Sequence, residues 1–181
     1  MLPYILIGIA ALIALFLLIV AMQPAAFKVV RSAKIAAPPE TVFAQVNDFH
    51  NWDAWSPWAK IDPDCRNSFE GAPAGQGAVF SWDGNKKVGA GRMTITDSRP
   101  AEKVRIKLEF FRPFKCENAA EFTFTPVGSD QTQVNWAMTG QKNFMFKAFC
   151  MFANMDKAVG GDFEKGLAAM KAVSEGATVR A

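Results

Sequence analysis

The sequence predicts an α+β domain, a curved antiparallel sheet wrapped around a long C-terminal helix, preceded by one transmembrane helix. Three observations predict it. An uncharged, apolar run fills the first two dozen positions. Period-two alternation then recurs through the middle of the chain, and period-3.6 spacing returns near its end. An antiparallel sheet with one apolar face needs a cover, and the last helix is the only long one available.

Between Leu2 and Met22 no residue is charged, and Leu, Ile, Ala, Val and Phe dominate. About 21 residues at 1.5 Å each reach roughly 30 Å, the thickness of a bilayer's hydrocarbon core. A cleaved secretory signal would carry a basic leader and small residues at its end. This run has no basic residue before it and finishes in Met22-Gln23-Pro24. A core helix would show a polar stripe, which is also missing. An anchor is expected, making the chain a single-pass membrane protein. Lys28, Arg31 and Lys34 follow the run, so the positive-inside rule places the domain in the cytoplasm.

The expected organisation is an anchor over 1–23, a short linker over 24–26, one domain over 27–175 and a tail over 176–181. Residues 27–35 alternate as a strand, and Ala37-Pro38-Pro39-Glu40 stops it and starts a helix. Val42, Phe43, Val46 and Phe49 recur at helical spacing, followed by the aromatic stretch Trp52-Asp53-Ala54-Trp55-Ser56-Pro57-Trp58. Residues 61–77 read as a loop holding one short strand near 67–70. Ala78, Phe80 and Trp82 share a strand face, and Asp83-Gly84-Asn85 suits a hairpin turn. Gly89, Gly91, Met93 and Ile95 continue a face of the next strand. Val104, Ile106, Leu108 and Phe110 alternate with charged residues, and Ala120, Phe122, Phe124 and Val134, Trp136, Met138 repeat the pattern. A long amphipathic helix is expected from about 144 to 173, bent near Gly160-Gly161.

The residues also carry a resemblance. Ile35-Ala36-Ala37-Pro38-Pro39-Glu40-Thr41-Val42-Phe43, the Trp52–Trp58 stretch, Gly89-Ala90-Gly91-Arg92-Met93-Thr94-Ile95 and residues 154–167 resemble the START-like superfamily, in its polyketide cyclase/dehydrase-like branch called SRPBCC. The resemblance covers nearly all of the soluble part. It implies the helix-grip fold and a cavity between sheet and helix. Members of the superfamily bind or carry lipids, sterols and polyketides, and some cyclise or dehydrate polyketide chains. The fold alone does not choose among these.

Chemistry is sparse in the pattern. His50 is the only histidine; beside Asp48 and Asn51 it reads as a cap or surface residue rather than a base. One histidine with Cys65, Cys116 and Cys150 scattered along the chain does not make a metal site, so no metal and no cofactor are expected. The three thiols are expected to be buried or half-buried in a reducing compartment. The net charge of +3 is dispersed, which argues against a nucleic-acid partner.

The aromatic supply is the stronger signal. Trp52 and Trp55, strand residues Phe80, Trp82, Met93, Phe110, Phe122 and Trp136, and helix residues Met151, Met155 and Phe163 are all expected to face inward. They are the candidate lining of a cavity for a hydrophobic small molecule such as a lipid, isoprenoid or polyketide-like compound. Taken singly, each also reads as core filling. Two alternatives stand beside ligand binding or transfer. One is a cyclase/dehydratase-like enzyme using Asp53, Glu109 or Glu121; the other is an envelope protein docking a protein partner through an exposed Trp52–Trp58 segment.

Overall fold

The structure is a computed structural model and describes residues 2–128, 130–152 and 154–178. Residues 179–181 of the expected tail lie outside the described residues. In chain order the elements are α1 (Leu2–Met22), β1 (Ala26–Ile35), α2 (Pro39–Asn47), a 3-10 helix (Phe49–Ala54), β2 (Arg66–Gly71), β3 (Ala78–Asp83) and β4 (Ala90–Arg99). Then follow β5 (Lys103–Arg112), β6 (Cys116–Pro126), β7 (Thr132–Gln141), α3 (Phe144–Cys150) and α4 (Met155–Thr178).

All seven strands form one antiparallel sheet in the order β1-β7-β6-β5-β4-β3-β2, so the first strand closes against the last. Register lines up the apolar rows across it. Ile95, Ile106, Ala120, Met138 and Val29 face one another in turn, as do Val104, Phe122 and Trp136. These residues are buried, because α4, α2 and the 3-10 helix cover that face. Proline in the first turn and Glu40 suit the start of α2, and Val42 and Val46 one turn apart are its buried stripe. Asp48 then accepts from the His50 N–H and caps the 3-10 helix.

α1 is long and apolar enough to cross a membrane. It is exposed nearly throughout, Val20 being its buried residue among those described.

Two expectations change. The turn after β3 is not the tight Asp83-Gly84-Asn85 hairpin but the longer connection 84–89. Gly84 N–H donates to Gly89 O (2.9 Å) and Gly89 N–H to Asn85 O (2.8 Å). The buried Asp62 carboxylate accepts from Asn85 N–H (2.6 Å) and holds this loop from outside the hairpin. Gly89 has φ +68°, so it belongs to the turn rather than to the strand.

The single C-terminal helix is two. The chain leaves the helix after Cys150 and restarts at Met155, while α4 runs through Gly160 and Gly161. Asparagines explain both starts. Asn143 Oδ1 accepts from Phe146 N–H (2.8 Å), and Asn154 Oδ1 accepts from Lys157 N–H (2.9 Å). A glycine within a helix costs only about 1 kcal/mol, so α4 continues without interruption through both glycines.

Candidate functional site

The concave face of the sheet divides into a packed part and an open part. In the packed part Trp136 stacks on Phe163 of α4, ring centroids 3.9 Å apart and 5° from parallel, and on Phe122 at 4.8 Å. Trp55 meets both Trp136 and Phe122 edge-on, and Trp52 lies 4.6 Å from Trp55. All five rings are buried. Gly166 allows this approach, since a Cβ there would stand 2.8 Å from Trp136 and 3.1 Å from Pro57. Trp136 Nε1 is buried without a hydrogen-bond partner among the described residues.

Two of the three indoles of the Trp52–Trp58 segment are therefore part of the interior. Trp52 Nε1 donates to Val46 O and Trp55 Nε1 to Gln45 O, both at 3.0 Å, which satisfies carbonyls at the end of α2. Trp58 is the partly exposed member, and it sits edge-on to Trp136 and Phe163. Of the segment expected to be exposed for docking, Trp52 and Trp55 are buried, whereas Asp53, Ala54 and Trp58 are exposed.

Beyond α4, which lies chiefly along β1 and α2, the face opens. Phe80, Trp82, Leu108 and Phe110 are half-buried around the buried Met93. Trp82 Nε1 donates to Val88 O (3.1 Å), and Phe110 meets its ring edge-on at 5.7 Å. Register joins Phe69, Phe80, Met93, Leu108, Asn118, Gly140 and Phe27 into one strip across the sheet.

A cleft of about 510 Å³ lies where β1 meets the α3–α4 connection. Phe27 and Val29 form one side, and Cys150, Met151, Phe152 and Met155 another, with Lys28, Lys142, Asn154 and Asp156 completing the lining. Of the residues expected to face inward, Met151 and Met155 are the two that border it. Met151 does so from an exposed position after α3, because the helix it was expected to occupy ends at Cys150.

A charged residue, Arg31, occupies an inward position of β1. Arg31 lies half-buried against α4, its Nε donating to Glu164 (2.7 Å) and its Nη2 to Asp156 (2.9 Å). Gly160 lies between these carboxylates on the helix, and a Cβ there would run into the guanidinium. The Arg31 hydrogen bond holds the Asp156 carboxyl below its usual range.

The carboxylates considered for acid/base work lie elsewhere. Asp53 is exposed, Glu109 accepts from Lys107 (3.0 Å), and Glu121 pairs with Arg105 (3.2 Å). Glu109 and Glu121 alternate with the inward residues of their strands and so face the convex side. His50 is exposed, 2.8 Å from Asp48 through Nδ1 and stacked on Phe69 at 4.1 Å. Cys65 and Cys150 are half-buried but Cys116 is exposed, since it sits at the start of β6 beside a hairpin tip.

Sequence reasoning passed over Phe27, Phe152, Arg31 and Gly160. A signal existed for the last two: Arg31 occupies an inward position in the Phe27, Val29, Ala33 alternation, and Asp156, Gly160 and Glu164 recur every four residues.

No curated protein sequence matches the chain. Solved structures similar to it include a Thalictrum flavum norcoclaurine synthase point mutant in complex with a transition state analogue (TM-score 0.64, 6% identity, 84% of this chain and 96% of that one). A Staphylococcus aureus protein of unknown function (TM-score 0.63, 13% identity) covers 86% of this chain and 98% of its own. The Aha1 dimer from Colwellia psychrerythraea (TM-score 0.58, 14% identity) covers 82% and 96%. Similarity at this level identifies the fold alone, the Bet v1-like helix-grip. The family model described as polyketide cyclase / dehydrase and lipid transport matches residues 26–175, and the chain belongs to that family.

Proposed function

We propose that this is a single-pass membrane protein whose helix-grip domain, on the cytoplasmic side, binds or transfers a hydrophobic small molecule of the lipid, isoprenoid or polyketide-like class. The observation that carries the reading is the cleft beside β1. Phe27, Val29, Met151, Phe152 and Met155 give it an apolar side, Lys28, Lys142, Asn154 and Asp156 a polar one, and Phe152 stacks on Phe16 of α1 at 6.4 Å. A volume of about 510 Å³ lies within the range of small-molecule sites. Across Gly140 and Asn118, the strip from Leu108 and Met93 to Phe80, with Trp82 and Phe110 beside it, offers further apolar surface for a longer chain.

Trp52, Trp55, Phe122, Trp136 and Phe163 serve this reading as the rigid wall that props the sheet away from α4. Met155, Met93, Phe80, Trp82, Phe110 and Met151 are its proposed ligand contacts. The cyclase/dehydratase alternative has less support, because Asp53, Glu109 and Glu121 do not converge on the cleft.

Photo-crosslinking tests this. Diazirine-bearing fatty acyl and prenyl probes are added to membranes containing the full chain, and adducts are mapped by mass spectrometry. Adducts on Phe27, Met151 or Met155 that unlabelled lipid competes away are expected. Labelling confined to α1, or insensitive to competitor, would sink the reading.

A further inference from the structure

We infer that α3 and the chain around it form a second membrane contact, a shallow apolar wedge that seats the open end of the domain on an anionic lipid surface. The inference rests on the reading of α1 as a membrane span and of the cleft as the ligand's place. It adds how the domain is oriented and what its exposed aromatics meet.

α3 is anomalous for a helix on a water-soluble domain. None of its residues is buried, and the exposed side chains on and after it are apolar, with Met145 at 74% and Phe152 at 84% exposure. Exposed clusters of this kind mark an interaction surface. What covers it follows from α1. Phe152 stacks on Phe16, and Lys147 Nζ donates to Ala21 O (3.3 Å) at the helix end. Six residues at 1.5 Å each put Phe16 roughly 9 Å inside the Met22 end of α1. That is the depth, about 5–10 Å, at which an interfacial helix buries its apolar face. Lys147 meanwhile stands at the level of the headgroups.

Register carries the surface further. Ala26 pairs with Gln141, Gly140 with Asn118, Phe110 with Cys116 and Ala90 with Arg112. The 84–89 and 113–115 connections therefore emerge on the sheet edge where α1 joins. At about 4.8 Å per strand the second of these, which joins β5 to β6, lies roughly 10–14 Å from β1, and it presents the exposed Phe114.

Charge completes the case. The segments 84–89, 113–115 and 141–152 contain Lys86, Lys87, Lys115, Lys142 and Lys147 and no acidic residue, while Arg112 beside them is paired with Asp83. Phenylalanine and methionine rimmed by lysine is the composition of a surface that sits on anionic lipid. A protein partner on this surface would have to share it with the bilayer in which α1 ends. With the wedge seated, the cleft that Phe152 borders opens at the hydrocarbon boundary.

The test uses the full chain in vesicles of phosphatidylcholine and phosphatidylserine, its three cysteines replaced by serine. A fluorophore is attached singly at Phe152→Cys, at Leu12→Cys in α1 and at Glu102→Cys on the opposite sheet edge. Quenching by spin-labelled acyl chains is compared with quenching by aqueous iodide. Lipid quenching at 152 and 12 but not at 102 is expected. Iodide quenching at 152 with lipid quenching at 12 overturns the inference and leaves the membrane reading standing. Iodide quenching at 12 overturns both. The double variant Met145→Asp, Phe149→Asp alters only surface and partly exposed positions, and it should shift the 152 label toward iodide without moving the label at 12. An unchanged 152 label in that variant also counts against the wedge.

Discussion

The guanidinium of Arg31 lies against the backbone of Gly160, between Asp156 and Glu164 on the same face of α4. This ties the N-terminal half of α4 to β1, the strand that follows α1. The glycine next to it has nothing within 4 Å of where its Cβ would stand. Alanine at either position gains the same helix propensity, so the pair isolates the arginine contact. Gly161→Ala should stabilise by about 0.5–1 kcal/mol. Gly160→Ala should fall short of it by about 1 kcal/mol or more, since the guanidinium must leave its carboxylates. Urea unfolding in detergent micelles measures both. All five tryptophans lie in the domain, so their fluorescence follows its unfolding.

Acid should loosen the same junction. Arg31 holds Asp156 below its ordinary range, and a hydrogen bond from Lys171, then one from the Ala36 N–H, does the same for Glu175. In the unfolded chain such carboxyls titrate near about 4. As pH falls through that value the unfolded state takes up protons first, so this stabilisation is complete above it. It is lost progressively as pH drops toward the folded values. Arg31→Gln should flatten the decline of Tm between neutral and acid pH. Equal slopes for the two proteins would show that the pairing does not contribute.

The stack of Trp136 on Phe163 is the centre of the packed half. Phe163→Ala should destabilise by about 3–5 kcal/mol, and Gly166→Ala, which forces a Cβ against Trp136 and Pro57, by about 1–3 kcal/mol. The two differ spectroscopically. Removing Phe163 opens the indole to solvent and red-shifts emission, whereas crowding at 166 leaves it dry.

Filling the cleft should separate binding from folding. Met155→Trp places a larger ring among Phe27, Val29 and Phe152 at a half-buried position, where stability should change by less than about 1.5 kcal/mol. Photo-labelling by the acyl and prenyl probes should fall sharply in this variant and stay at the wild-type level in Gly161→Ala.

Most of the fold could be read from alternation. Lys103 to Phe110 shows period two because one sheet face meets the core and the other meets water, and the same holds for β6 and β7. The two misread places lacked such a pattern. The 84–89 connection is held by Asp62 from a distant loop, a contact that local spacing does not carry. The break after α3 fell inside a run of Phe and Met whose apolar positions continue at helical spacing. Its signal was the Asn154 cap, which was overshadowed by two glycines that α4 tolerates. The expected lining was harder still. Alternation assigns Trp136 and Trp82 alike to the inner face, yet one lies beneath α4 and the other beyond it. Which part of a sheet a helix covers is set by tertiary docking, and no single strand encodes it.

The pairing of β1 with β7 also fixes an order of events. Residues 26–35 leave the ribosome early, directly behind α1, but the strand that completes their ladder is not made until residue 141. A contact of that sequence separation forms late. If α1 enters the bilayer as it emerges, β1 waits at the membrane with an unpaired edge while β2 to β6 assemble. The sheet is then finished where it began, at the lipid surface. On the proposed reading, α3 would reach the bilayer as that ladder closes, and the cleft would be completed when α4, the last element made, docks on β1.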